Sequence, residues 1–279
     1  MAAMAILAMG LAALVSCEKK EEAMEPYRPT IPVDSNWAFE ATPLWAEEFN
    51  TDGAPNPANW KYDLGGGGWG NNELQNYTSR PENVKIESGN LVITARKEAM
   101  GGNSYTSARL LSQGVGDKLY GRLEVRAKLP AGRGTWPAIW MLPTDWKYGV
   151  WPSSGEIDIM EHVGYDPGNV HFSIHTQDYN WTKNTQKQGT KYLADAVGAF
   201  HKYRVDWTPY AVTGYYDDEL VYTFVNEGKG FAKWPFDQRF HLMLNLAIGG
   251  NWGGVQGVDD SIFPVQFLVD YVRFYKIIR

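Results

Sequence analysis

The stretch Gly155-Glu156-Ile157-Asp158-Ile159-Met160-Glu161 alternates acidic and apolar residues among strand-forming side chains. Successive side chains of a strand point to opposite faces, so Glu156 and Asp158 share one face and the isoleucines share the other. Strict alternation would place Glu161 with the isoleucines, inside the core. A β-bulge at Ile159-Met160, with Met160 as the extra residue, returns Glu161 to the face of the other two acids. The stretch therefore predicts a bulged strand that carries three carboxylates in one row.

Three neighbouring carboxylates repel one another, so their pKa values must separate and at least one must keep its proton at neutral pH. Retaining glycoside hydrolysis needs this combination, because one ionised carboxylate attacks the anomeric carbon while a protonated one serves the leaving oxygen. The alternative is a strand with solvated acids on its polar face, since charged side chains on strands are usually exposed. The acids alone leave both interpretations open.

The neighbouring sequence favours the catalytic interpretation. Upstream lies TWPAIWMLP, at residues 135–143, and the acids themselves lie within WPSSGEIDIMEHVG, at residues 151–164. Together these segments resemble the active-site signature of glycoside hydrolase family 16 in its bulged, laminarinase-like form, and similar pieces run from about Trp45 to Tyr275. The resemblance implies that Glu156 is the nucleophile, that Glu161 is the acid/base, and that Asp158 tunes both.

The rest of the chain has the pattern of an all-β protein. Between Gly121 and Leu129 apolar residues alternate with charged ones, which is typical of a sheet with one dry face. No apolar repeat of helical period runs beyond about three turns. Many short strands with Gly and Pro turns predict a β-jelly-roll sandwich of two antiparallel sheets. The family resemblance implies the concanavalin A-like lectin/glucanase fold.

Composition restricts the partners. The 279 residues fit one large domain, and the formal net charge of -6 argues against a nucleic-acid partner, which would need clustered Lys and Arg. The 12 tryptophans exceed what a core of small residues needs, and flat indoles suit the apolar faces of sugar rings. We expect a monomer that binds a β-glucan polysaccharide.

The amino terminus predicts export. Residues 1–16 form a short apolar run typical of a signal peptide, and Leu14-Val15-Ser16-Cys17 resembles a bacterial lipobox, which implies lipidation of Cys17. The alternative is an ordinary cleaved signal with an incidental cysteine. Residues 17–36 are charged and then Pro-rich, which indicates a tether, and residues 37–279 form the catalytic domain. Because the charged start of the tether resembles the surface-export tags of Bacteroidetes lipoproteins, we expect a surface-exposed outer-membrane lipoprotein whose lipid alone contacts the membrane.

Several segments predict contacts with sugar. The segment WGNNELQ resembles a glycone-binding loop of the family and implies Asn72, with Asn71 a close alternative. GGNW, at residues 249–252, resembles a rim segment of the family. It implies that Asn251, Trp252 and Gln256 lie on the leaving-group side of the cleft. Arg109 lies in a strand and serves either a sugar or carboxylate contact or a surface salt bridge, and both stay open. The predicted substrate-binding residues are Asn72, Arg109, Trp136, Trp140, Trp151, His175, Asn251 and Gln256.

A metal site is predicted on the final strand, where alternation sets Asp270 on the face of the apolar Val272 and Phe274. A carboxylate among apolar neighbours is costly unless a positive charge meets it. The family resemblance implies a structural calcium ion held by Glu48, the Gly89 carbonyl and Asp270, and oxygen-only ligands fit calcium. The alternative is a salt bridge to a basic side chain. No cofactor is expected for catalysis.

These features together predict a retaining endo-β-glucanase that cuts β-1,3-glucan or mixed-linkage β-1,3/1,4-glucan. The rival from another class is a surface glycan-binding lipoprotein without turnover, which would keep the tryptophans but has no need of the acid row. Among enzymes, the competitors are agarase and carrageenase activities on galactose-based chains. A sulfate pocket would need additional Arg or Lys beside the tryptophans, and the sequence offers only Arg133 and Arg109.

Overall fold

The computed structural model describes Asp34 and residues 36–278. The expectations for Cys17, for the signal segment 1–16 and for nearly all of the tether lie outside these residues. No helix in the described part of the chain is long and apolar enough to cross a membrane.

The described residues form nineteen β-strands and two single-turn 3-10 helices, Trp181–Lys183 and Asp260–Ile262. The strands in chain order are β1 Ala38–Phe39, β2 Trp45–Glu47, β3 Lys61–Tyr62, β4 Gln75–Tyr77, β5 Val84–Glu87, β6 Asn90–Ala95, β7 Tyr105–Ser107, β8 Arg109–Leu111, β9 Gly121–Lys128, β10 Thr135–Pro143, β11 Glu156–His162, β12 Asn169–His175, β13 Lys187–Tyr192, β14 His201–Trp207, β15 Ala211–Tyr216, β16 Glu219–Val225, β17 Phe240–Ile248, β18 Val265–Tyr275 and β19 Ile277–Ile278.

Two antiparallel sheets make up the body of the protein. One has the strand order β13-β12-β11-β10-β17-β8-β3, and we call it the inner sheet; its strand β11 carries the acid row. The other, the outer sheet, has the order β16-β15-β14-β9-β18-β6-β5, with β2 also paired to β18. Two small pairs, β1 with β19 and β4 with β7, complete the strand pairing of the described residues. This is the jelly-roll sandwich that the sequence predicts.

The hydrophobic core lies between the two sheets. Ile157 and Ile159 of β11 are fully buried, as is Val125 of β9 on the other sheet. The sheets approach closely enough that a Cβ added at Gly214 would lie 2.3 Å from the Phe172 ring. Alternation therefore has the predicted effect, because apolar faces meet inside and polar faces are left for the concave and convex surfaces.

The final long strand, β18, corrects one expectation. Its pairing with β9 shifts register between Val269 and Tyr271, so Asp270 is an unpaired bulge residue and does not align with the buried Val272. Its carboxylate lies partly exposed and pairs with Arg126 at 2.5 Å. The ion-pair alternative is therefore the arrangement that the structure contains, with an arginine as the partner.

The other two predicted calcium positions are separate from this pair. Arg273 holds the Glu48 carboxylate at 2.7 and 2.8 Å, and this contact holds the pKa of Glu48 below its usual range. Gly89 lies in the turn between β5 and β6, with a positive φ of 75°. Glu48 lines a surface cavity together with the oxygen-bearing side chains of Asn50 and Asp52, whereas Gly89 and Asp270 are not part of that lining. The predicted set therefore fits a calcium ion only in part.

Candidate active site

The register of β11 shows where its carboxylates point. Glu156 lies opposite His175 of β12, and Glu161 lies opposite His171. These histidines are four residues apart on a regular stretch of β12, so they share one face, and directly paired residues of neighbouring strands lie on the same face. Glu156 and Glu161 therefore face the same side of the sheet. Asp158, opposite Ser173, lies between them.

The bulge that makes this possible lies at the predicted place. On the β10 side, Ile139 pairs with Met160 and Trp140 pairs with Asp158, so Ile159 is the residue without a partner. Met160 therefore keeps a place in the ladder, and the extra residue is Ile159. Both side chains are fully buried. The Tyr216 hydroxyl of the outer sheet donates a hydrogen bond to the Ile159 carbonyl at 3.1 Å. The carbonyl of the unpaired bulge residue thus has a hydrogen-bond donor from across the core.

Each acid of the row has its own neighbour. The Trp151 Nε1 donates to Glu156 Oε2 at 2.6 Å, and the Trp136 Nε1 donates to Glu161 Oε1 at 3.1 Å. Asp158 is 2% exposed, and its Oδ2 lies 3.2 Å from His175 Nε2. The two indoles therefore orient the outer carboxylates, while the middle one is sealed beneath them.

Burial is the main cause of large pKa shifts in the row. It raises the pKa of Glu156 to about 8, with the Asp158 charge adding to the effect, and raises that of Glu161 to about 7. The pKa of Asp158 rises well above its usual range through burial and the neighbouring Glu161 charge. Asp158 is the most buried acid of the row, and it shares a hydrogen bond with Glu156 that raises the pKa of Glu156. The row is therefore partly protonated at neutral pH, but the pKa of Glu156 lies above that of Glu161, so Glu156 must pass its proton to a neighbouring carboxylate before it can attack a sugar.

One part of the row also has the donor types of a metal site. Glu156, Asp158 and His175 each present a ligand atom within 4.8 Å of the others. The same atoms already contact one another in the acid row, through the Glu156–Asp158 hydrogen bond and the Asp158–His175 pair. These contacts hold the three groups together, while Asp158 Oδ2 and His175 Nδ1 make no hydrogen bond within the described residues.

Trp140 and Arg109 belong to a single cluster beside the acids. The Arg109 guanidinium lies 4.8 Å from the centre of the Trp140 ring and 5.0 Å from that of Trp69. Its Nε lies 3.1 Å from Asp63, and the side chain is 9% exposed. Arg109 is therefore buried while Asp63 is 31% exposed, so their ion pair is partly buried, and Arg109 supports the aromatic wall of the cleft through cation–π contacts.

A buried polar network lies below this wall, and the sequence analysis missed it. Trp140 Nε1 donates to Asn245 Oδ1 at 2.7 Å, and Asn245 Nδ2 donates to the Tyr77 hydroxyl at 3.1 Å. That hydroxyl reaches Glu73, whose carboxylate also accepts from Gln75 at 2.7 Å. Burial raises the pKa of Glu73. A signal was present, since Asn245 is a lone amide in the otherwise apolar run Leu242 to Ile248.

The two rim loops meet. Asn72 Nδ2 donates to the side-chain oxygen of Asn251, Oδ1, at 2.8 Å. The backbone N–H of Asn251 donates to the backbone carbonyl of Asn71 at 2.7 Å. Asn72 and Asn251 therefore share one rim of the cleft, and the side of the scissile bond that each serves stays a prediction. Trp252 packs edge-on against Trp136, with ring centres 5.6 Å apart.

The remaining predicted residues differ in how close they lie to the acids. His175 and Trp151 are in the acid row's immediate surroundings, with ring centres 6.2 Å apart. Gln256 is exposed in the loop after β17, with no hydrogen bond to the acids. The sequence analysis did not select Trp181. The centre of its ring lies 6.2 Å from that of Trp151.

Comparison with known proteins places the chain among enzymes that act on β-glucan. Residues 71–273 match the model of the family "Glycosyl hydrolases family 16". A β-glucanase of Rhodothermus marinus is 51% identical over 241 residues, covering 84% of each chain. The X-ray structure of the laminarinase from Rhodothermus marinus superposes with a TM-score of 0.85 at 49% identity, covering 87% of this chain and 99% of that one.

A second solved structure includes a sugar. It is a mutant of SCLam, a non-specific endo-β-1,3(4)-glucanase, with a 1,3-β-D-cellobiosyl-glucose at its active site. It superposes with a TM-score of 0.81 at 47% identity, covering 90% of this chain and 98% of that one.

Proposed function

The chain belongs to glycoside hydrolase family 16, and on that premise we propose that it is a retaining endo-β-glucanase that hydrolyses β-1,3-glucan and mixed-linkage β-1,3/1,4-glucan. The observation that carries the proposal is the register of β11, in which a bulge at Ile159 brings Glu161 to the face of Glu156 and Asp158. A glycan-binding module has no need of such a row of acids, and burying the three carboxyl groups lowers the stability of the folded state. Relatives that are β-glucanases and laminarinases support the substrate class.

The first half of the reaction uses both outer acids. The Glu156 carboxylate attacks the anomeric carbon, the bond from that carbon to the glycosidic oxygen breaks, and Glu161 gives its proton to the departing oxygen. A glycosyl ester on Glu156 results. Trp151 and Trp136 keep the two carboxyl groups in place through their indole N–H groups. This orientation contributes to the rate enhancement, because carboxyl groups already held in the reacting geometry lose less entropy on reaching the transition state.

The second half reverses the roles. Glu161, now ionised, takes a proton from water as the oxygen of that water attacks the anomeric carbon, and the ester bond to Glu156 breaks. Two inversions leave the product in the β configuration. Asp158 takes up the proton of its shared hydrogen bond when Glu156 attacks, and in the second step this hydrogen bond stabilises the Glu156 carboxylate that must leave.

Parallel digestion of laminarin, lichenan and agarose tests the substrate class. We expect oligosaccharide products from the first two, with the β anomer formed first in proton NMR spectra. Cleavage of agarose alone would contradict the proposal and favour a galactan hydrolase. Binding of laminarin without release of reducing ends would favour the glycan-binding alternative.

We also propose that the enzyme is a monomer attached to the outer membrane through lipid on Cys17, with its domain exposed at the cell surface. The support is the sequence of residues 14–17 and the charged, Pro-rich segment that follows. Two acyl signals anchor a protein stably, whereas an unlipidated domain partitions to water. Cys17→Ala should therefore move the enzyme to the soluble fraction of lysed cells. A variant that stays with the membrane would contradict the lipid anchor.

A structural calcium ion is a separate proposal that rests on Glu48 and the neighbouring oxygen-bearing side chains. An ion that binds only the folded state raises the unfolding temperature by mass action. Added Ca²⁺ should raise that temperature in the wild type, and Asp52→Ala, which removes a carboxylate from the cavity lined by Glu48, should abolish the rise. An equal rise in that variant would contradict a calcium site at this cavity, whereas Asp270→Ala, which breaks only the pair with Arg126, should keep the rise.

A further inference from the structure

Trp181 is an exposed tryptophan close to the catalytic acids. It begins the 3-10 helix Trp181–Lys183, and 46% of its surface is exposed within the described structure. Its ring centre lies 6.2 Å from that of Trp151, with the planes 36° apart. Trp151 in turn donates to Glu156. Two neighbouring indoles, first Trp151 and then Trp181, therefore extend away from Glu156, the acid that attacks the sugar.

The loop that carries Trp181 is held by polar contacts rather than by the indole. Asn180 is fully buried, and its Nδ2 donates to the carbonyls of Thr176 and Gln177 at 3.1 and 3.2 Å. Its Oδ1 accepts from the Thr182 hydroxyl at 2.6 Å. The loop is thus closed around Asn180, and the neighbouring indole projects from it without filling the core.

A second set of contacts fixes the other end of the loop. Lys183 Nζ donates to the Gln177 carbonyl at 2.7 Å, and the Thr185 hydroxyl donates to the Asp178 carbonyl at 2.8 Å. Asn184 takes the left-handed conformation that ends the 3-10 turn. A side chain on such a loop loses little freedom when a ligand contacts it, so binding costs less entropy.

Single exposed apolar residues are common on protein surfaces and by themselves need no explanation. Three observations set Trp181 apart from Leu220, which is 61% exposed on β16 of the outer sheet. The indole is large, it stands on a rigid loop, and it continues the aromatic surface that begins at Trp151. Such a surface matches the flat apolar faces of successive sugar rings.

We propose that Trp181 forms a further sugar-binding subsite, beyond Trp151, and that it makes the enzyme favour longer β-glucan chains. The inference rests on the proposed function, because it names an additional contact for the same substrate. Trp181 touches neither the acids nor the reacting bond, so it acts on binding and chain-length preference and leaves the chemistry to the acid row.

The test compares chain lengths. The ratio of kcat/KM for laminariheptaose to that for laminaritriose should fall about tenfold in Trp181→Ala, the factor that corresponds to one lost stacking contact. Trp181→Phe should keep most of the ratio, since a smaller ring still stacks. Leu220→Ala removes an exposed apolar side chain of the other sheet and should leave the ratio unchanged.

Calorimetry separates this proposal from the proposed function. In the Glu156→Ala background, laminariheptaose should bind less tightly when Trp181→Ala is added, whether or not the wild type hydrolyses it. An unchanged kcat/KM ratio together with unchanged heptaose affinity would overturn the subsite while leaving the glucanase proposal intact. A wild type that cleaves no glucan, but whose heptaose affinity depends on Trp181, would contradict the glucanase proposal and support the subsite.

Discussion

Replacing Tyr216 by Phe tests whether the bulge in β11 depends on the opposite sheet. The Tyr216 hydroxyl is fully buried and donates to the Ile159 carbonyl at 3.1 Å. The substitution removes one oxygen atom and leaves the ring, so core packing changes little. It leaves a buried carbonyl without that donor, at the residue that turns Glu161 into the cleft.

The expected effects follow from that lost donor. A buried polar group left unpaired costs about 1–3 kcal/mol, so the free energy of unfolding in urea should fall by about 1–2 kcal/mol. If the bulge then moves, Glu161 meets the glycosidic oxygen less accurately, and kcat/KM on laminarin should fall about tenfold. The alkaline limb of the pH–rate profile should also shift, because the surroundings of Glu161 set its pKa.

Tyr203→Phe is the matched control. Tyr203 packs edge-on against Tyr216, with ring centres 5.2 Å apart, and it is equally buried. Its hydroxyl makes no hydrogen bond within the described part of the chain. The same chemical change should therefore leave stability equal or higher and activity unchanged. If Tyr216→Phe is no less stable and no less active than Tyr203→Phe, the hydroxyl does not hold the bulge.

Two further predictions concern the acid row. Deleting Ile159 leaves both glutamates on one face by plain alternation, so a folded deletion variant should keep reduced retaining activity on β-glucan. An alanine inserted after Met160 should instead turn Glu161 into the core and abolish turnover. If both variants are folded by circular dichroism, an inactive deletion variant and an active insertion variant would contradict the register of β11. Because burial raises the pKa values of Glu156 and Glu161 to about 8 and about 7, the folded state binds more protons than the unfolded state above pH ~4.5, and this stabilisation is complete below that pH and lost as pH rises through the folded values. The wild type should lose unfolding free energy between about pH 5 and pH 8, and Glu161→Gln should reduce that loss by on the order of 1–2 kcal/mol. If urea unfolding shows the same loss of free energy in the variant and the wild type, the raised pKa of Glu161 is refuted.

The sequence was sufficient for features that depend on local periodicity. The alternation in residues 155–161 locates both the strand and its bulge, because an acid that would otherwise enter the core demands one extra residue. The same alternation in β10 puts Trp136 and Trp140 beside the acids. Only the identity of the unpaired residue differs, since pairing to β10 skips Ile159 rather than Met160.

Features that depend on distant pairings could not be predicted in the same way. Asn72 and Asn251 are 179 residues apart and meet only because their two loops border the same strand end. Arg109 is buried because Asp63 and several aromatic rings enclose it, which its own strand does not reveal. The Asp270 bulge likewise follows from the register with β9, not from the alternation around Asp270.

The assignment of Glu156 as nucleophile and Glu161 as acid is the central claim, and azide rescue tests it most directly. Glu156→Ala removes the attacking carboxylate, and azide is small enough to attack the anomeric carbon from the vacated position. With an activated β-glucoside substrate, added azide should restore cleavage in Glu156→Ala and give the α-glycosyl azide. In Glu161→Ala, where the nucleophile is intact, azide should instead give the β-glycosyl azide. An α-product from Glu161→Ala and none from Glu156→Ala would show that the two roles are reversed.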